Sequence, residues 1–107
     1  MKGIKAGADL VLTSGGTGFS PTDVTPEAVE PLITKHCHSL TQYMQTEAVR
    51  TITPLACLSR SVIGIINDSM VVCLPGKPKA VKENFEILTS KGVLQHALAQ
   101  MKSQEKH

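Results

Sequence analysis

Aromatic residues are scarce in this sequence, which has one Tyr, two Phe and no Trp among its 107 residues. A surface that stacks nucleic-acid bases on aromatic rings is therefore not expected. An excess of charge is also lacking, because eleven Lys and Arg against nine Asp and Glu leave a formal charge of only +2. Neutralising a phosphate backbone needs a clear basic excess, so we predict no nucleic-acid partner.

Long apolar runs and paired cysteines are missing as well. The longest unbroken apolar run, residues 70–74, is far too short to span a bilayer, so we predict no membrane partner. No apolar signal core follows the first residues. The three cysteines, at positions 37, 57 and 73, cannot all pair and have no C-x-x-C spacing, which favours reduced thiols in the cytoplasm.

Three apolar runs rich in β-branched residues predict strands. They cover residues 8–13, 61–66 and 70–74. The last two flank Asn67-Asp68-Ser69 and form a hairpin candidate, although the turn lacks the favoured Gly. A stretch around Pro54 between the second predicted helix and this hairpin is expected to be irregular or a single turn.

Four segments with apolar residues at helical spacing alternate with these strands. The first is expected at residues 25–37, with Thr25 as its N-cap and a kink or 3₁₀ turn at Pro31. The others are expected at residues 39–50, after Pro78 and from residue 93 to about 101. This order predicts an α/β fold, a layered sheet with helices on both faces.

The predicted domain covers residues 1–101, and residues 102–107 form a polar tail. Three strands under four helices would leave an open sheet edge, and an α/β sheet normally has more strands. The sequence therefore has the pattern of a domain without its opening strand and helix.

A glycine-rich turn, Ser14-Gly15-Gly16-Thr17-Gly18, directly follows the first predicted strand. Glycine accepts positive φ, so successive amides can converge on a phosphate oxygen, and the Thr17 hydroxyl would add a donor. Ligands of α/β sheets bind beyond the carboxyl ends of strands, where this turn is expected. The alternative is a tight structural turn without a ligand.

Asp23 lies five residues beyond the turn. A carboxylate would repel a phosphate unless a cation lay between them, and Mg²⁺ bridging the two is the usual arrangement. The alternative is that Asp23 caps the next helix, for which Thr25 is better placed.

Two further segments contain residues suited to an anion site. Arg60, in Ser59-Arg60-Ser61, has a planar fork that suits a phosphate or a carboxylate, although a solvated or salt-bridged arginine is the alternative. Pro75-Gly76 follows the last strand and is expected to line the same pocket. His36-Cys37-His38 suggests a metal, but adjacent helical residues point apart and no second cluster completes a ligand set.

Residues 14–27 closely resemble the molybdopterin adenylyltransferase family, the MogA-like proteins that include the G domain of gephyrin. The agreement resumes at Thr53-Pro54-Leu55, Leu58-Ser59-Arg60 and Leu74-Pro75-Gly76 and covers nearly the whole chain. The related molybdenum-insertion domains have a different glycine loop, which disfavours that assignment.

The resemblance implies a molybdopterin-binding α/β fold, a homotrimer, and transfer of AMP from Mg-ATP to the terminal phosphate of molybdopterin with release of pyrophosphate. It implies that Asp23 is an essential acid beside Mg²⁺. It also implies that the residues that hold phosphate or line the nucleotide and pterin pocket are Gly15, Gly16, Thr17, Gly18, Ser59, Arg60, Pro75 and Gly76.

Three departures from the family pattern leave a second hypothesis open. Thr22 stands where the family usually has Arg, and Cys73 where it usually has Asn. The family's opening strand and helix, which contribute a second acidic residue, are not matched. The alternative is therefore a fragment that binds molybdopterin or nucleotide, or acts as a scaffold, without catalysis.

Overall fold

A four-stranded mixed sheet lies at the centre of the structure, a computed structural model that describes residues 9–103. The strands lie side by side in the order β1-β4-β3-β2. Their bounds are Leu10–Ser14 (β1), Lys35–His36 (β2), Ile63–Ile66 (β3) and Ser69–Leu74 (β4). The α-helices are Thr25–Val29 (α1), His38–Thr51 (α2), Pro78–Ser90 (α3) and Val93–Lys102 (α4), with 3₁₀ helices at Glu30–Leu32 and Pro54–Leu58.

The pairing of β4 with both neighbours sets the position of the functional loops. β1 runs parallel to β4, with Ser14 beside Leu74, so both strands end at the same edge of the sheet. β3 and β4 form the predicted antiparallel hairpin, in which Ile66 pairs with Ser69. The turn between them needs no Gly because Asn67 adopts the left-handed conformation, φ 55°, which Asn tolerates better than most residues.

Apolar side chains alternate between the two faces of the sheet, as the strand period requires. One face packs against α2, α3 and α4 around a buried cluster of Met44, Ile63, Met70, Val72, Leu74, Leu88 and Leu94. The opposite face packs against α1 around a smaller cluster of Val11, Val29, Val62, Ile66, Val71 and Cys73. The prediction of a layered α/β sheet with helices on both faces is confirmed.

The first predicted helix is too long, and the sheet has one strand more than predicted. The 3₁₀ turn expected at Pro31 is present, but Ile33 after it is extended and the helix does not continue to Cys37. Instead β2 pairs with β3, with Lys35 beside Ile65. Both residues of β2 are polar and exposed, so no apolar alternation indicated a strand.

The ends of the chain add two observations. The predicted first strand begins at Ala8 and the predicted tail includes residues 104–107, and these positions lie outside the described residues. At the carboxyl end α4 continues to Lys102, one residue further than predicted. Within the range 9–103, no helix combines the length and apolar character that crossing a membrane requires.

Candidate functional site

The glycine turn and the Pro75-Gly76 turn lie side by side, as predicted, because β1 and β4 are parallel neighbours. The Gly15 amide donates to the Leu74 carbonyl at 2.9 Å and extends the strand pairing by one residue. A Cβ on Gly76 would lie only 3.1 Å from the Cα of Gly15, so glycine is needed where the two turns touch.

Thr25 fixes the shape of the glycine turn. Gly15 and Gly16 have φ values of 96° and 72°, in the left-handed region that favours glycine. The Thr25 hydroxyl donates to the Gly15 carbonyl at 2.8 Å, and its amide donates to the Gly16 carbonyl at 3.0 Å. Thr25 is therefore not the predicted N-cap: it is the first residue of α1, and its side chain holds the preceding turn.

The amides of the turn differ in what they are free to bind. The Gly15 N–H already donates to the Leu74 carbonyl, so this amide is not free to donate to a ligand. Among residues 9–103, the Gly16 and Thr17 amides have no protein acceptor, while their carbonyls are taken by Thr25 and Arg60. Gly16 and Thr17 therefore carry the amides that are free to donate to a ligand.

The Thr17 hydroxyl lies inside the protein rather than in a ligand site. Thr17 is 3% exposed, and its Oγ1 lies 3.2 Å from Ser59 Oγ, which in turn lies 3.0 Å from Ser61 Oγ. The Ser59 carbonyl also accepts a hydrogen bond from Gln45 on α2. Ser59, predicted to line the pocket, therefore supports the turn from behind in this geometry.

Asp23 organises the loop that follows the turn. Its Oδ2 accepts from the Ser20 amide at 3.0 Å and from the Ser20 hydroxyl at 2.8 Å. These bonds, the hydroxyl foremost, with help from the Gly18 amide and Arg60, hold the pKa of the Asp23 carboxyl below its usual value. Asp23 is thus ionised at neutral pH, and both Ser20 bonds go to Oδ2 and not to Oδ1.

Arg60 reaches the same loop but points to protein acceptors. Its Nε donates to the Gly18 carbonyl at 2.9 Å and its Nη2 to the Asp23 carbonyl at 2.6 Å. The Glu27 carboxylate accepts from Nη1 at 2.7 Å and from Nη2 at 3.2 Å. The positive charge of Arg60 is balanced by the Glu27 carboxylate, so the pair adds no net positive charge near the turn.

A cavity of about 490 Å³ adjoins the turn on the side covered by α1. Its walls are Leu12, Thr13, Ser14, Val24, Thr25, Ala28 and Val29. Ser14 and Thr25 flank the glycine turn in sequence, but none of the predicted site residues lines this cavity. Its volume lies within the range of small-molecule sites.

A second cavity, of about 610 Å³, lies away from the predicted site between β2, α2 and α4. His36 and His38 stand at its rim with their rings stacked, the centroids 4.9 Å apart. No group of three or more His, Cys, Asp or Glu side chains suited to a metal exists in the part of the chain that the structure describes.

Thr22 and Cys73, the two residues that depart from the family pattern, differ in exposure. Thr22 is exposed, and its hydroxyl lies 3.1 Å from Ser20 Oγ. Cys73 is fully buried in β4 beside Thr13, and burial raises the pKa of its thiol. The sequence did not predict two hydrogen-bond partners, Ser20 for Asp23 and Glu27 for Arg60. Serine and glutamate are common in loops and at helix starts, so neither residue type gave a distinguishing signal.

Comparison with known proteins decides the family. The family described as "Probable molybdopterin binding domain" matches residues 2–96. The chain belongs to this family. The chain is 44% identical over 89 residues to the molybdenum cofactor synthesis protein cinnamon of Drosophila melanogaster, covering 83% of this chain and 14% of that protein. It is 42% identical over 78 residues to molybdopterin adenylyltransferase of Helicobacter pylori, covering 73% and 44%.

Solved structures agree with this assignment. The chain superposes on the molybdopterin biosynthesis Mog protein of Mycobacterium ulcerans with a TM-score of 0.77 and 38% identity, covering 87% of this chain and 59% of that one. Superposition on MoaB of Thermus thermophilus gives a TM-score of 0.77 and 41% identity, covering 87% of this chain and 57% of that one. The predicted resemblance and MogA-like fold are confirmed, and the names of these relatives place the family in molybdenum cofactor biosynthesis. The chain spans about 60% of the length of these solved relatives.

Proposed function

We propose that this chain acts as a molybdopterin adenylyltransferase, transferring AMP from Mg-ATP to the terminal phosphate of molybdopterin. The observation that carries the proposal is the pair of free amides at Gly16 and Thr17, followed in the chain by an ionised Asp23. Relatives bearing this enzyme's name align with most of the chain, which supports the choice of substrates.

The two amides supply the anion-binding part of the site. They belong to a left-handed turn whose carbonyls are already bonded, so the N–H groups are fixed in direction before a ligand arrives. Fixed donors stabilise charge on phosphate oxygens without reorganising during the reaction. In this proposal Gly76 and Pro75 form the neighbouring wall, and the 490 Å³ cavity receives the remainder of a substrate.

Asp23 fits a magnesium ligand by its chemistry. The pKa of its carboxyl is lowered, Ser20 bonds Oδ2, and Oδ1 is the oxygen that would bind a hard cation. Mg²⁺ at phosphate sites commonly takes one or two carboxylates together with phosphate oxygens. When bound, the ion would neutralise charge on the ATP phosphates.

The proposed reaction is a nucleotidyl transfer whose atoms balance without an oxidant or a reductant. An oxygen of the terminal phosphate of molybdopterin forms a bond to the α-phosphorus of ATP. The bond from that phosphorus to the bridging oxygen breaks, and pyrophosphate leaves with the electron pair. Such reactions depend on positioning and charge neutralisation more than on covalent catalysis, which suits a site of amides and one carboxylate.

The test compares AMP transfer and pyrophosphate release for the unaltered chain and for Asp23→Asn. The variant keeps an oxygen that accepts from Ser20 but loses the charge, and we expect its rate to fall by about 100-fold or more, on the order of 3 kcal/mol of barrier. Asp68→Asn is the matched control, since Asp68 is exposed in the hairpin turn at the other end of β4. Equal rates for the unaltered chain and Asp23→Asn would remove Asp23 from the mechanism.

A second candidate function is binding without catalysis. It is favoured by Thr17 and Arg60, two predicted ligand-binding residues whose side-chain polar groups are bonded to other protein groups. Calorimetric titration with molybdopterin and with Mg-ATP separates the candidates. Micromolar binding without pyrophosphate release would identify a binding or scaffold module, and release would identify the enzyme.

Two further properties belong to this proposal. A homotrimer would bury apolar side chains that the isolated chain exposes, such as Phe19, Leu55 and Leu58, and sedimentation analysis would measure the oligomeric state.

Cys37, Cys57 and Cys73 are all free thiols, which suits the reducing cytoplasm.

A further inference from the structure

One guanidinium connects both ends of the loop that carries Asp23. Arg60 Nε donates to the Gly18 carbonyl, where the loop leaves the glycine turn. Arg60 Nη2 donates to the Asp23 carbonyl, where the loop enters α1. Because the fork is planar and rigid, these two bonds at 2.9 and 2.6 Å fix the span between residues 18 and 23.

The Glu27 carboxylate accepts hydrogen bonds from two of the three remaining N–H donors of the Arg60 guanidinium. Arg60 has five N–H donors, and its bonds to Gly18, Asp23 and both oxygens of Glu27 occupy four of them. The carboxylate also balances the arginine charge. A guanidinium in this state has little to offer a substrate phosphate, which sets the geometry apart from the pocket-lining role expected for Arg60 from the resemblance.

The backbone around Arg60 ties the same loop to the rest of the fold. The Arg60 amide donates to the Thr17 carbonyl at 2.7 Å, and Ser59 Oγ lies against Thr17 Oγ1. Gln45 on α2 donates to the Ser59 carbonyl. The turn that presents the free amides and the loop that presents Asp23 are therefore both held from residues 59–60.

We propose that Arg60, with Glu27 as its counter-ion, is a positioning residue that sets the Asp23 carboxylate against the Gly16 and Thr17 amides without contacting substrate. The inference rests on the proposed adenylyl transfer for its catalytic consequence, and on the hydrogen bonds alone for its structural part. Misplacing a reacting or charge-stabilising group by about 1 Å costs on the order of 100-fold in rate, so the arginine matters although it touches no reacting atom.

The kinetic test uses Arg60→Lys, which keeps the charge and removes the fork. We expect kcat to fall by about 10- to 100-fold, while KM for Mg-ATP changes by less than about threefold. Arg50→Lys is the matched control, because Arg50 also pairs with a glutamate, Glu47, but on α2 away from the loop. A KM that rises in step with the loss of kcat/KM would show a substrate ligand and overturn the proposal.

A second measurement does not depend on activity. The Asp23 amide donates to the Ser20 carbonyl at 2.9 Å, and the Ser20 amide donates to Asp23 Oδ2 at 3.0 Å, so exchange of these two amides with solvent reports the closed loop. We expect exchange at least about tenfold faster in Arg60→Lys and in Glu27→Gln, and unchanged in Arg50→Lys. Unaltered exchange in Arg60→Lys would overturn the proposal.

The two measurements separate this inference from the proposed function. If the unaltered chain transfers no AMP, the proposed activity fails while the exchange rates still decide whether Arg60 holds the loop. If the chain is active and Arg60→Lys matches it in kcat, the positioning role is overturned and the activity stands.

Discussion

The two faces of the sheet are covered to different extents. Three helices cover one face, where side chains such as Leu74 and Leu88 are wholly buried. Among residues 9–103 the opposite face is covered by α1, a helix of five residues, and by Ile33, and Val24 at the start of α1 remains 55% exposed. The heavily covered face supplies most of the apolar stabilisation, whereas the thinly covered face leaves room for a cavity and for the free amides of the turn.

The largest expected effect tests the heavily covered face. Leu88→Ala removes a wholly buried side chain, and we expect the free energy of unfolding to fall by about 2–5 kcal/mol. Val29→Ala, at 1% exposure on the thinly covered face, is the comparison and should cost about 1.5–2 kcal/mol from two methyl groups. Urea unfolding measures both, and a larger loss per removed carbon in Val29→Ala than in Leu88→Ala would contradict the contrast between the faces.

The second effect compares two glycines with positive φ, Gly16 in a crowded turn and Gly92 in an open one. In Gly16→Ala the new Cβ would collide with Thr25 Oγ1, at a φ of 72°, so we expect a loss of about 2–4 kcal/mol together with the Thr25 bond that shapes the turn. Gly92, between α3 and α4, has a φ of 76° but nothing within 4 Å of a new Cβ.

Gly92→Ala therefore isolates the backbone cost, which we expect to be about 1 kcal/mol. Thermal unfolding of the two variants side by side measures the difference. If both lost the same stability, the contact between Gly16 and Thr25 would not constrain the turn.

The smallest effect concerns the charged pair on the thinly covered face. The Arg60 hydrogen bond holds the pKa of the Glu27 carboxyl below its usual value of 4.5. A lowered carboxyl pKa contributes stability above about pH 4.5, which is lost as the pH falls through the folded-state pKa. We expect unaltered chain and Glu27→Gln to differ in stability at pH 7 and to converge towards pH 3.

Acid titration of the unfolding midpoint from pH 7 to pH 2 would measure this convergence. The difference should be small, since both side chains are partly exposed and solvent screens the pair. A difference that stays constant with pH would show that Glu27 acts through packing and not through its charge.

Much of the fold was predictable because its signals are local. The strand before the glycine turn, the 3₁₀ turn at Pro31, the hairpin around Asn67 and the last two helices follow from apolar period and from residues that restrict φ. β2 was not predictable, since two exposed polar residues form a strand only because β3 offers them an edge.

The candidate site divides in the same way. Positive φ at Gly15 and Gly16 was predicted from the glycines themselves, and the side-by-side turns from the expectation that ligand loops lie at the carboxyl ends of strands. The partners of Thr17 and Arg60 were not predicted. Thr17 and its partner Ser59 are 42 residues apart in the sequence, and Glu27 and Arg60 are 33 apart. At such separations the polar residue types alone do not select one partner.

The sequence by itself determined where the chain turns, because glycine, proline and apolar period act over a few neighbouring residues. It also determined that Asp23 lies five residues beyond a glycine-rich turn. Only the tertiary structure decided which amides stay free, which hydroxyl is buried and where the Arg60 fork points. Those outcomes depend on which distant groups the packed helices and sheet bring within hydrogen-bond distance, and a buried polar group is satisfied by whichever partner the fold places there.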